Sequence, residues 1–242
     1  RVICYTFVCL FQAYTRFKRV DRKEKGRMLR YYPTQVLKLA GVRCSYEGNV
    51  PELLHECGLT DTPPAYMVLS NHISWLDIFS LDSQLPSRFI AKAEIAKWPV
   101  FGLIAQQIGT LFINRSSKRA ILRINDDIRG ALCNCEAVTI FAEGTTTFGN
   151  ELLPIKANFI APACEIGATV QPVILSYKNK GKPTKRAAFA GDVTLFGSLW
   201  NVVTMEDAEV VVHFLEPITN TKDLTRHEVA KICEESMRAK LQ

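Results

Sequence analysis

The sequence predicts an α/β fold: a mainly parallel sheet flanked by helices, preceded by an N-terminal helical segment. Three observations predict it. Apolar runs alternate with amphipathic stretches along most of the 242 residues, as expected for strands buried on both faces and joined by helices. The length suits one large α/β domain with a sizeable core. Polar residues able to do chemistry gather just after apolar runs, where parallel strands give way to loops.

Taken in order, residues 1–40 read as helical. In "GRMLRYYPTQVLKLAG", Met28, Leu29, Tyr32, Val36, Leu37 and Ala40 recur near the helical period, Pro33 marks a break or kink, and Gly41 marks the stop. "VRCSYEG" reads as a strand, "PELLHECG" as a short helix opened by Pro51, "AYMVLS" as a strand and "WLDIFSLDSQL" as a helix. "SRFIA" and "GTLFIN" read as strands around a helical "EIAKWPVFGLIAQQIG". A long helix is expected from about Ser116 to Cys135, then strand "AVTIFA", a Gly/Thr-rich loop over 144–150, a helix over 157–166 and strand "TVQPVILSY". "SYKNKGKPTKR" at 176–186 reads as an exposed basic loop, "RAAFAGD" and "AEVVVHFLEP" as strands, and 225–240 as the closing helix.

The net charge of +6 has one source. Residues 16–30 hold eight Lys/Arg against Asp21 and Glu24, while the rest of the chain carries 22 basic and 22 acidic residues. Just before this cluster lies apolar "VICYTFVCLFQAY", residues 2–14. That run is shorter than the ~20 residues a bilayer-spanning helix needs, although it fits the end of one. An apolar segment followed by a basic one suits an anionic membrane surface, on the cytoplasmic face of the cell membrane. We therefore divide the chain into a membrane-associating segment, 1–40, and an α/β domain, 41–242. No aromatic-interleaved basic patch follows, which argues against nucleic acid. The eight cysteines are scattered, with Cys133 and Cys135 the only close pair. They read as reduced thiols, and no metal-ligand cluster is present.

Within "LSNHISWLDIF", residues 69–79, His72 follows a strand and Asp77 lies just inside a helix. On one continuous helix five residues turn about 500°, leaving the two side chains about 140° apart. A loop before the helix would let the imidazole fold back onto the carboxylate, which fixes one tautomer and frees the other nitrogen as a base. Ser74-x-x-Asp77 is also a capping-box variant, so Asp77 serves equally as a helix cap. In "FAEGTTTFGN", 141–150, Glu143, Gly144 and Thr145 follow a buried strand, and small residues there let backbone N–H groups approach an anionic or polyhydroxy ligand. Arg115 ends "GTLFINR", a place where its planar fork suits a phosphate. Lys156 opens a later helix in "LLPIKANF".

These stretches form four ordered blocks: N-H-x-x-x-x-D, G-x-L-F-I-N-R, F-x-E-G-T and V-x-P-V, from about Leu69 to Leu175. Together they resemble the glycerolipid acyltransferase family, of the 1-acyl-glycerol-3-phosphate acyltransferase type. The resemblance implies His72 as general base with Asp77 orienting it. It implies Arg115 and the Glu143-Gly144-Thr145 block as contacts for the acceptor's head group, with Lys156 a further anion contact and Lys92, in "FIAKAE", a secondary candidate. It further implies a lysolipid acceptor, a coenzyme A or acyl carrier protein thioester as donor, and no metal or other cofactor. Pro172 falls in the fourth block, an apolar wall.

Three residues depart from that pattern. Asn114 stands for the common Asp, Ala142 for Pro, and Thr146 for the Arg that follows E-G-T in enzymes acting on lysophosphatidic acid. The last change removes a phosphate contact, and the E-G-T-T-T form resembles relatives that acylate lyso-ornithine lipid. Rival expectations are a serine hydrolase using Ser70 or Ser74, for which G-x-S-x-G is lacking, and a non-catalytic lipid-binding protein.

Overall fold

The computed structural model describes residues 2–50, 65–114 and 118–241. Its elements are α1 (Val2–Gln12), a π turn (Ala13–Phe17), α2 (Arg22–Leu39), β1 (Val42–Gly48), β2 (Tyr66–Ser70), α3 (Leu76–Asp82), β3 (Ser87–Lys92), α4 (Phe101–Gln107) and β4 (Leu111–Ile113). There follow α5 (Lys118–Cys133), β5 (Ala137–Phe141), α6 (Ala161–Ile166), β6 (Thr169–Asn179), β7 (Lys182–Pro183), α7 (Leu195–Val203), β8 (Ala208–Phe214) and α8 (Arg226–Leu241).

The strands form one sheet in the order β1-β8-β6-β2-β5-β3-β4, with β7 folded back on β6. Strands β6, β2, β5, β3 and β4 run parallel. Strand β8 is antiparallel to β6 and parallel to β1. The sheet is therefore mainly parallel, with antiparallel pairing only where β8 and the short β7 meet β6. Side chains alternate between its faces, as the two-residue strand period requires. Met67 and Leu69 of β2 join a core under α5, α6 and α8. Val68 between them joins a second core under α2, α3 and α7. Burial on both faces is why the central strands read as unbroken apolar runs.

Several local expectations are corrected. Pro33 does not break α2 and sits buried inside it. Packing of Met28, Val36 and Leu37 holds the helix through that turn, where the Thr34 hydroxyl donates to the Arg30 carbonyl at 2.7 Å. The stretch 93–108 is not one helix: Ala93–Lys97 forms a 3-10 turn, and α4 starts only after Pro99 and Val100. The helix expected over 157–166 divides into a 3-10 turn, Ala157–Phe159, and α6. "SYKNKGKPTKR" is mostly ladder, the end of β6 and the β7 hairpin. "RAAFAGD" is not a strand. Its alanines are apolar because Ala187 and Ala188 fill the second core, while the Phe189 backbone bonds to loops instead of a ladder. Helix α7, to which no expectation was attached, is capped by Thr194, whose Oγ1 accepts from the Gly197 N–H at 3.1 Å. The short helix expected at Pro51 lies outside the described residues, as do Cys57 and Arg115.

Candidate active site

Because β2, β5, β3 and β4 run parallel, their carboxyl ends open on one edge of the sheet. His72 follows β2, Glu143 follows β5, Lys92 ends β3 and Asn114 follows β4. Asn71 fixes the first of these exits. Its side-chain amide donates to the Leu175 carbonyl at 3.0 Å and accepts from the Leu175 N–H at 2.7 Å, tying the end of β2 to β6.

Residues 71–74 are irregular, so His72 stands off the helix that carries Asp77. The chain folds back, and His72 Nδ1 lies 2.7 Å from Asp77 Oδ2. A carboxylate only accepts, so Nδ1–H donates and the lone pair stays on Nε2. The imidazole is 19% exposed and Asp77 is wholly buried, and Nε2 has no partner among the described residues. The two readings of Asp77 prove to be one arrangement. The same Oδ2 accepts from the Ile73 N–H at 2.7 Å and the Ser74 N–H at 2.9 Å, the backward bond of a capping box. Asp77 Oδ1 accepts from the Tyr177 hydroxyl at 2.5 Å. Four donors on one buried carboxylate compensate its removal from water. Burial, then the charge of Asp77, pushes the Tyr177 phenol well above its ordinary range, so it stays an O–H donor.

Two contacts hold the imidazole from other sides. Phe141 stacks on it with centroids 3.8 Å apart and planes 10° apart, backed by Phe89 at 5.8 Å. Buried Glu143 accepts from the His72 N–H at 3.1 Å through Oε1 and from the Leu153 N–H at 3.2 Å through Oε2. Burial raises the Glu143 carboxyl above its usual range, opposed by those two amides. Glu143 is thus turned inward onto the main chain. Gly144 (φ +74°) and exposed Thr145 form the loop beyond it. Lys92 is exposed at the end of β3, and exposed Lys156 has its N–H 3.3 Å from the Ala142 carbonyl. The structure thus joins His72, Asp77 and Glu143 directly and sets Lys92, Gly144, Thr145 and Lys156 along the same edge.

Thr146 does not reach outward as the arginine it stands for would. Its hydroxyl donates to the Phe189 carbonyl at 2.5 Å, and the Phe189 N–H donates to the Ile73 carbonyl at 2.8 Å. Ser70 and Ser74 are wholly buried and neither is bonded to His72, which removes the geometry a serine nucleophile would need. Tyr177, Asn71 and Phe141 were not singled out from sequence. The available signal was a lone phenol among apolar residues of β6, on the face of Val173 and Leu175.

The sequence profile of the acyltransferase family matches residues 44–176. A 1-acyl-sn-glycerol-3-phosphate acyltransferase of Neisseria gonorrhoeae is 40% identical over 178 residues, 73% of this chain and 69% of that protein. A lyso-ornithine lipid O-acyltransferase of Pseudomonas aeruginosa is 38% identical over 173 residues, 72% of this chain and 66% of that one. In structure, the chain is similar to the 1-acyl-sn-glycerophosphate acyltransferase of Thermotoga maritima, with a TM-score of 0.68, 19% identity and coverage of 99% of this chain and 88% of the other. That likeness establishes the shared fold.

Proposed function

Because the chain belongs to the acyltransferase family, we propose that it moves a fatty acyl group from an acyl thioester to the free hydroxyl of a lysolipid, with 1-acyl-sn-glycerol-3-phosphate as the leading acceptor. The observation that carries this is the His72–Asp77 pair with Nε2 left open. The acceptor hydroxyl gives its proton to Nε2 as its oxygen attacks the thioester carbonyl. Asp77 stabilises the imidazolium through Nδ1–H. When the tetrahedral intermediate collapses, the C–S bond breaks and His72 returns the proton to the departing thiolate. Coenzyme A or acyl carrier protein supplies the thioester, and no metal takes part in these steps.

Glu143 positions His72 by holding its N–H. Gly144, Thr145, Lys92 and Lys156 border the head group, and the resemblance assigns Arg115, which ends "FINR", to the same acceptor. A second acceptor, lyso-ornithine lipid, is favoured by Thr146. Its hydroxyl is spent on the Phe189 carbonyl, so no cation follows E-G-T to meet a phosphate. The apolar α1 and its basic sequel would hold the enzyme on an anionic membrane, at the cytoplasmic face, where a single-chain lipid resides.

The test mixes purified protein, a labelled acyl thioester and a panel of lysolipids. His72→Ala should lower transfer by about 100- to 10,000-fold, the usual contribution of a positioned base. Transfer at the parental rate by this variant ends the proposal. Rate ratios across the panel decide between the two acceptors.

A further inference from the structure

We propose that α7 is a bilayer-docking helix, distinct from the N-terminal segment, that seats the active-site edge on an anionic lipid surface. Helix α7 is inverted for a surface helix: Ser198 and Val202 are buried, whereas Phe196 is 72%, Trp200 63% and Val203 42% exposed. Spacings of four and three residues set these three side chains in one narrow stripe. Large apolar side chains so exposed and so aligned mark an interaction surface, unlike apolar residues scattered singly.

Charge identifies the partner. Basic residues bracket the helix. The Arg186 guanidinium bonds Thr204 Oγ1 at 3.0 Å beside its last turn. In the loop leading to the helix, Gly191 faces the exposed Phe148 ring, whose centroid lies 6.0 Å from Lys185. Lys182, Lys185 and Arg186 form no ion pair with a carboxylate among the described residues, while Lys180 is taken by Glu206. An apolar ridge flanked by cations that form no carboxylate ion pair among the described residues fits the interface of an anionic bilayer, rings in the acyl boundary and cations among head groups.

Position links the helix to the chemistry. The Trp75 indole N–H donates to Ser198 Oγ at 3.2 Å, joining the buried side of α7 to the turn between His72 and Asp77. Val2 of α1 packs on the same core as Val202, so both apolar segments cover one face of the sheet. The link to acyl transfer rests on the function proposed above; docking itself does not.

The test uses the full chain and vesicles of phosphatidylglycerol and phosphatidylethanolamine, with and without brominated acyl chains, and no substrate. Brominated vesicles should quench a fluorescence component present in the parent and absent from Trp200→Phe. Phe196→Ser, at an exposed position, should keep the parental melting temperature and weaken flotation about tenfold, in line with the loss of one buried aromatic side chain. Quenching identical in the parent and Trp200→Phe, or undiminished flotation of Phe196→Ser, overturns the inference. So does lipid-free self-association that Phe196→Ser abolishes, which would assign the stripe to a second copy of the chain. If quenching holds and no lysolipid is acylated, the docking surface stands and the proposed reaction falls.

Discussion

Asp77 accepts from an imidazole, two backbone amides and a buried phenol, so the hold on His72 depends on each of those donors. Tyr177 can be tested without touching the pair. In Tyr177→Phe the carboxylate keeps three donors but is free to swing, and one buried oxygen loses its partner, a change worth about 1–3 kcal/mol. We expect kcat to fall roughly tenfold with KM unchanged, measured with a soluble short-chain thioester. The phenol is pushed well above its ordinary range by burial, so it does not ionise in the assay range. The pH–rate profile of the variant should therefore keep its shape and lose only height. In the sequence the spacing leaves a cap and a pair both open and the resemblance selects the pair, whereas Tyr177 lies 100 residues beyond Asp77 and meets it only through the register of β6 against β2.

Helix α3 carries a second buried carboxylate at its end. Asp82 accepts from the Ser87 N–H at 3.0 Å and is otherwise desolvated, which pushes its carboxyl well above the usual range. The folded state then binds this proton more tightly than the unfolded chain does. Stability is lost as pH rises from the unfolded value, about 3.9, towards the folded one, and the penalty is complete above both. Asp82→Asn should raise the melting temperature by a few degrees, about 2–4 °C per kcal/mol, at pH 8 and leave it nearly unchanged near pH 4. Thermal melts across that window check the sign. In the loop after β5, Gly149 has φ +76°, and a Cβ there would lie 2.5 Å from Ile73 Cδ1. Gly149→Ala should cost about 1–2 kcal/mol by denaturant titration, since both the backbone and buried Ile73 must yield. Element identities were legible where a helical period was long, as in α5 and α8. They failed where burial came from loop packing, as at Ala187 and Ala188, or where the apolar stripe of a helix faces outward, as in α7.

At the scale of the whole molecule, the sheet's mainly parallel character was legible from its unbroken apolar strands. The strand order and the reversal between β6 and β8 were not, because no local pattern records which distant strand is a neighbour. Among the described residues no helix is long and apolar enough to cross a membrane. Exposed Phe7, Val8 and Phe11 on α1 and Tyr14 in the π turn nonetheless precede the basic cluster. Flotation with anionic vesicles should weaken between low and 1 M salt if those cations carry the attachment, as the Debye length shrinks from about 10 Å at 0.1 M to 3 Å. Salt-insensitive binding would assign it to inserted apolar side chains. Strand β1 lies at one edge of the sheet, and its partner there is β8, from Val42 opposite Ala208 to Gly48 opposite Phe214. As the chain emerges from the ribosome, β1 must wait until most of the remaining sequence has been made before its ladder can close. Such distant pairing comes late and slowly, so α1 and α2 leave the tunnel long before the strand they lead into is locked.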